Sequence, residues 1–200
     1  MPEILVVITA LGGLIGIAEL LHRWAGIRAV HTRRMVHLGT GLAVVSFPYI
    51  FEFVAPVYFL AGIFVLINGA ALLWNRLPGM HGTDRVTWGT VTFPLALLVV
   101  LPFTWSTDRV FALQTSFLVL AVCDPLAAWV GERAGRQSMM SAGSRVKSIT
   151  GSAGFFVSAL VVTVIAGYVL NTWPPVASTP VLFAVGGMAA MVGTVVEFLG

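Results

Sequence analysis

Three short polar patches hold the residues best able to do chemistry in this chain. They are Arg33-Arg34-Met35-Val36-His37-Leu38-Gly39-Thr40-Gly41, Cys123-Asp124-Pro125-Leu126-Ala127-Ala128-Trp129-Val130-Gly131, and Lys147-Ser148-Ile149-Thr150-Gly151-Ser152-Ala153-Gly154-Phe155. Arginines, a lysine and a hydroxyl-bearing glycine turn are phosphate-binding chemistry. An isolated aspartate suits a hard cation such as Mg²⁺, and a histidine can accept a proton. A further acid, Glu197, stands among apolar neighbours in Val195-Val196-Glu197-Phe198.

Each patch also has a plainer reading. Asp124 follows the apolar run Phe117 to Cys123, where a charge costs about 2.5–3.5 kcal/mol at a membrane helix centre. Asp followed by Pro is a helix start, with Asp124 as N-cap and Pro125 in the first position. The spacing therefore predicts a break at Asp124, after which the helix restarts. The same break exposes the carboxylate to Mg²⁺, so the two readings are compatible. Arg33 and Arg34 suit an interface that anchors a helix and meets anionic headgroups. That role does not cover His37, one turn further into an apolar helix. Gly151 and Gly154 are spaced for close helix packing, whereas Lys147 and Ser148, at the entry to a helix, suit phosphate. The lysine turn is not a Walker A loop, because Val146 precedes Lys147 where that motif needs glycine. Glu19 reads as an interfacial residue, Glu52 and Asp108 as loop residues, and Asp84 as the ion-pair partner of Arg85.

The elements that position these residues are set by composition. The chain has 200 residues, is 58% hydrophobic and only 10% charged, against about 25% charged in soluble domains. It reads as an all-α, polytopic transmembrane helix bundle, a single integral membrane domain over 1–200. A span takes about 20 apolar residues, and about seven segments approach this: roughly 4–21, 36–51, 54–74, 88–103, 109–130, 152–170 and 180–199. The first lacks the basic start of a signal peptide and is expected to be a retained span. Ten of the eleven Lys and Arg residues fall on the first, third and fifth connections. The positive-inside rule makes those connections cytoplasmic, with the N-terminus outside and the C-terminus inside. The fifth connection, about 131–149, contains Gly135, Ser138, Gly143 and Ser144 and is expected to be a mobile loop. The lone Cys123 excludes an internal disulfide.

Taken in order, the patches resemble the polyprenol kinase family, the CTP-dependent membrane lipid kinases that include dolichol kinase and phytol kinase. The resemblance rests on Arg33-Arg34 with His37 and Gly39, Gly89-Thr90 with Phe93-Pro94-Leu95, Asp124 with Ala127, Gly131 and Gly135, Lys147-Ser148 with Gly151-Ser152 and Gly154-Phe155, and Glu197. It implies phosphoryl transfer from CTP, with Mg²⁺, to the hydroxyl of an isoprenoid alcohol such as phytol, geranylgeraniol or dolichol. It further implies Asp124 as the metal ligand, and Arg33, Arg34, Gly131, Lys147, Ser148, Gly151 and Ser152 around the nucleotide. His37 or Glu197 would accept the alcohol's proton. The substrate would enter from the bilayer, with membrane lipids as surroundings and no nucleic acid as partner. The expected location is the cell membrane of a prokaryote, with the site facing the cytoplasm.

Two features depart from the family pattern. Members often continue past the last acid into an Asp-Asn motif and another span, whereas this chain stops at Gly200, as a short form or a fragment. The chain also has Cys123-Asp124-Pro125 where phytol kinases more often place glycine around the acid. Phosphatidate cytidylyltransferases, the related second reading, carry an Asp-Arg-x-Asp signature, but Asp84-Arg85 is followed here by Val86-Thr87. A small transporter is the non-enzymatic alternative. Transporters place polar groups near the midplane and show inverted repeats. No repeat is visible, and spans two and three offer little beyond Ser46 and Asn68.

Overall fold

A computed structural model describes residues 2–74, 89–105, 110–133, 139–142, 145–170, 186–188 and 190–195. Among the described residues the elements run in the order α1 (Pro2–Ala25), α2 (Ala29–Ile50), α3 (Ala55–Leu73), α4 (Gly89–Thr104), α5 (Val110–Arg133), β1 (Met139–Ala142), β2 (Arg145–Ser148) and α6 (Ile149–Val169). Residues 186–188 and 190–195 are also helical. Among the described residues α1, α3, α5 and α6 are long and apolar enough to cross a membrane. The helix α4 is apolar but has only 16 residues, and α2 has 22 residues but carries Arg33, Arg34 and His37. Helices follow from the solvent: in hydrocarbon each backbone group must bond within its own segment.

Two compact units divide the chain, Met1–Leu113 and Gln114–Gly200. In the first, α1 turns into α2 at Gly26, whose φ of 66° is the left-handed conformation glycine adopts without a Cβ penalty. His22 Nδ1 donates to the Ile27 carbonyl at 2.8 Å and closes that turn. Glu19 pairs with Arg23 one turn along α1, which gives the interfacial acid a definite partner. Ala18 and Val36 are buried between α1 and α2 with Leu14, Ile15 and Met35 around them. Gly39 belongs to the same seam: a Cβ there would lie 2.5 Å from Leu14 Cδ2. Only Phe51 to Val54 separate α2 from α3, and Glu52 is exposed there, so the two helices run antiparallel. In turn α3 packs along α4 and touches α1.

In the second unit α5 and α6 pack around buried Cys123, Ala127, Phe155 and Ala159, with Ala190 from the last helical residues. Small residues dominate because association in lipid is driven by close van der Waals approach. Gly193 belongs to that seam as well, since a Cβ there would lie 2.8 Å from the Phe155 ring.

Two expectations are corrected. The helix does not break at Asp124: α5 runs without interruption from Val110 to Arg133 with Pro125 inside it. Proline removes one backbone bond, while a break would strand several groups where each costs several kcal/mol. The second correction concerns the fifth connection, while the bundle itself is helical as expected. Where a loop was expected, β1 and β2 pair antiparallel with Met139 opposite Ser148 and Met140 opposite Lys147.

Candidate functional site

The predicted site residues fall into two groups, one in each unit. In Met1–Leu113, Arg33, Arg34 and His37 lie on α2 and are half-buried. Their neighbours come from the first turn of α4. A Cβ at Gly89 would sit 2.6 Å from Arg33 Nη2, so the tip of the guanidinium, as placed, occupies the space a side chain at position 89 would enter. One turn on, the His37 ring meets Phe93 edge to face, with centroids 5.1 Å apart and planes at 73°. Position 33 matches 89 and position 37 matches 93, so both helices advance in the same direction where they touch. The beginnings of α2 and α4 therefore lie at one end of this unit. Thr90, beside Gly89, has a buried hydroxyl with no hydrogen-bond partner, and the same holds for the Asn68 side-chain oxygen on α3.

In Gln114–Gly200, Asp124 is exposed on α5. The helix runs on for nine residues to Arg133, which sets Asp124 about 14 Å from that end at 1.5 Å per residue. Near the end, the Arg133 guanidinium lies over the Trp129 ring at 3.6 Å, a pairing of the kind that anchors a helix at an interface. Gly131 is half-buried in the last turns, while Gly151 and Ser152 are buried in the first turn of α6. Gly151 lies against backbone: its Cβ position is 3.1 Å from the Ala127 carbonyl oxygen and 3.5 Å from Gly131 Cα. Gly154 faces a side chain instead, 3.3 Å from Val130 Cγ1. Both glycines thus lie in the seam between α5 and α6. Lys147 and Ser148 lie in β2, immediately before α6. Glu197, Asp84, Arg85 and Asp108 lie outside the described residues.

Among the described residues no three of His, Cys, Asp and Glu group to hold a metal ion. Mg²⁺ in nucleotide sites is bound through one or two carboxylates plus substrate phosphates and waters rather than by an all-protein cage. Asp124 and Glu132 are the exposed carboxylates on α5, and Asp124 is the one the sequence singles out. The sequence reading did not connect Gly89 and Phe93 to Arg33 and His37, although matched four-residue spacings on two helices were a usable signal. It also missed Trp129 and Arg133, which are four apart on α5.

These features define a helical membrane protein with two arginines and a histidine on one unit, and an exposed acid and a hairpin containing Arg145 and Lys147 on the other. No protein-family model matches the chain, and no solved structure does. A curated protein named phytol kinase, from Synechocystis sp., is 32% identical over 160 residues, which cover 78% of this chain and 67% of the relative. The chain belongs to the phytol and polyprenol kinase-like family.

Proposed function

We propose that this protein is a membrane phosphotransferase, a kinase that moves the γ-phosphoryl group of CTP to the hydroxyl of an isoprenoid alcohol. The observation that carries this reading is the similarity to the protein named phytol kinase over 78% of the chain. Phytol, geranylgeraniol, dolichol and similar alcohols are the acceptor class.

In the transfer the alcohol oxygen bonds to the γ-phosphorus, the bond from that phosphorus to the β–γ bridging oxygen breaks, and the hydroxyl proton leaves to a base. Such chemistry is mostly positioning and charge stabilisation. His37 or Glu197 takes the proton. Arg33 and Arg34 neutralise charge on the transferred group. Lys147, Ser148 and the Gly151-Ser152 turn hold the nucleotide phosphates, with Gly131 beside them, and Asp124 holds Mg²⁺. The bound Mg²⁺ supplies neutralisation of phosphate charge.

The reading includes seven spans, an outer N-terminus and a site on the cytoplasmic face of a prokaryotic cell membrane. Ten of eleven Lys and Arg residues on three connections support that orientation, and the parallel run of α2 and α4 agrees with α3 spanning between them. Nucleotides are cytoplasmic, which agrees with the side the charges choose.

The deciding experiment incubates purified protein with Mg²⁺, γ-labelled CTP or ATP, and phytol, geranylgeraniol and longer polyprenols. Label in the lipid phase is the expected result and names donor and acceptor together. No labelled alcohol, with a cytidylated product and pyrophosphate formed when phosphatidate and α-labelled CTP are supplied instead, replaces phosphoryl transfer by nucleotidyl transfer.

A further inference from the structure

The contacts of α2 with α4 form two rungs, Arg33 on Gly89 and His37 on Phe93, each a four-residue step apart on its own helix. Residues four apart on a helix share a face, so one face of α2 presents both the cation and the imidazole to one face of α4. Each rung constrains a degree of freedom that chemistry would need constrained. A guanidinium ends a long flexible side chain, and here it lies where the side chain of any residue but glycine at position 89 would stand. An imidazole can rotate about its last torsion, and the edge-to-face contact with Phe93 selects a ring plane. The hydroxyl of Thr90, buried with no partner, is a spare hydrogen-bonding group on the same turn.

We propose that Gly89 and Phe93 are positioning residues for phosphoryl transfer: Gly89 leaves the space in which the Arg33 guanidinium is held, and Phe93 fixes the plane of the His37 ring. The proposal rests on the kinase reading above. Neither residue touches substrate; both act through their α2 neighbours. A methyl group at position 89 displaces the guanidinium by a distance of the order that costs about 100-fold when a reacting array is misaligned by 1 Å.

The test uses the full chain in lipid nanodiscs, with phytol as acceptor and CTP as donor. Gly89→Ala is expected to lower kcat by about 30-fold or more while KM for phytol moves less than about threefold. In an Arg33→Ala background the same change is expected to cost less than about twofold, because the group it displaces is gone. Phe93→Leu is expected to lower kcat about tenfold, and Phe93→Tyr, which keeps the ring, to restore it to within about threefold of wild type. Val99→Ala, on the exposed side of α4, serves as the control that leaves kcat unchanged. Wild-type kcat in Gly89→Ala, or losses that simply multiply in the double variant, would overturn the proposal, as would equal activity of the Leu and Tyr variants at 93. Melting midpoints of the same four-member cycle give a reading independent of turnover. The midpoint shift caused by Gly89→Ala must be less favourable in wild type than in Arg33→Ala, and equal shifts in both refute the contact. If wild-type protein phosphorylates no alcohol, the kinase reading fails, while this melting cycle still decides whether Gly89 holds Arg33.

Discussion

The α-carbon of Gly151 faces the backbone of Ala127 so closely that a Cβ would stand 3.1 Å from the Ala127 carbonyl oxygen. Backbone inside a helix cannot swing aside as a side chain can. Gly151→Ala is therefore expected to force α5 and α6 apart and to cost about 1–3 kcal/mol, the usual range for overpacking. Gly154→Ala, which meets only the Val130 side chain, should cost less than about 1 kcal/mol. Gly62→Ala, with nothing within 4 Å, should be neutral or stabilising, since alanine is the better helix former by about 1 kcal/mol. Thermal unfolding of the three variants in one detergent checks the order. A Gly62 variant as unstable as the Gly151 variant would contradict it.

Asp124 is exposed within an otherwise apolar helix. Asp124→Asn keeps the size and removes the charge that a Mg²⁺ ligand requires. Turnover is expected to fall by at least about 100-fold, the scale seen when a charge-stabilising group is lost, with insertion and melting unchanged. Near-wild-type activity in this variant would end the metal role of Asp124. Chelation of Mg²⁺ from wild-type protein should reproduce the loss, and added Mg²⁺ should reverse it.

Thr163 is 2% exposed on α6, and its hydroxyl oxygen has no hydrogen-bond partner. An unsatisfied buried hydroxyl costs about 1–3 kcal/mol, and valine has nearly the same shape without it. Thr163→Val should raise the melting midpoint, by the equivalent of about 1 kcal/mol or more, with activity unaffected. A drop in the midpoint would reveal that the hydroxyl is satisfied in the membrane.

Orientation can be read chemically, because the chain has a single cysteine and Cys123 is fully buried. Glu52→Cys places a thiol in the exposed connection between α2 and α3, and Arg28→Cys places one in the exposed turn between α1 and α2. An impermeant maleimide applied to intact cells is expected to label position 52 and spare position 28. The reverse pattern would turn the site to the outer face and remove nucleotides from its reach.

Hydropathy made the long helices legible, since apolar length is what lipid selects. The start of α2 at Ala29 put Arg33, Arg34 and His37 inside a helix, consistent with their spacing. Pro125 misled because Asp-Pro is a start signal in water, where a broken helix is solvated. Lipid offers no such solvation, and α5 continues through it. The hairpin was overlooked although Gly143-Ser144 stands between β1 and β2, a Gly-first pair of the kind that joins hairpin strands. The four-residue strands are too short to give a persuasive alternation. For the site, residue types were visible but their neighbours were not: no local pattern announces that Gly89 makes room for Arg33, or that Gly151 meets backbone and Gly154 a valine. Those are facts about which helix faces which, and glycine looks the same in sequence whichever surface it serves.

The parallel rungs between α2 and α4 bear on how the protein is made. The ribosome delivers Arg33 and His37 long before Gly89 and Phe93 exist. Among the described helices α2 is not one of those apolar enough to cross alone, and when it emerges it has α1 beside it but not yet the first turn of α4. Headgroups and water must hold that turn until α3 has folded back and α4 has arrived. Completion of this end of the bundle is thus a late event in biogenesis, and a nascent chain released before α4 would lack the Gly89 and Phe93 rungs beside Arg33 and His37.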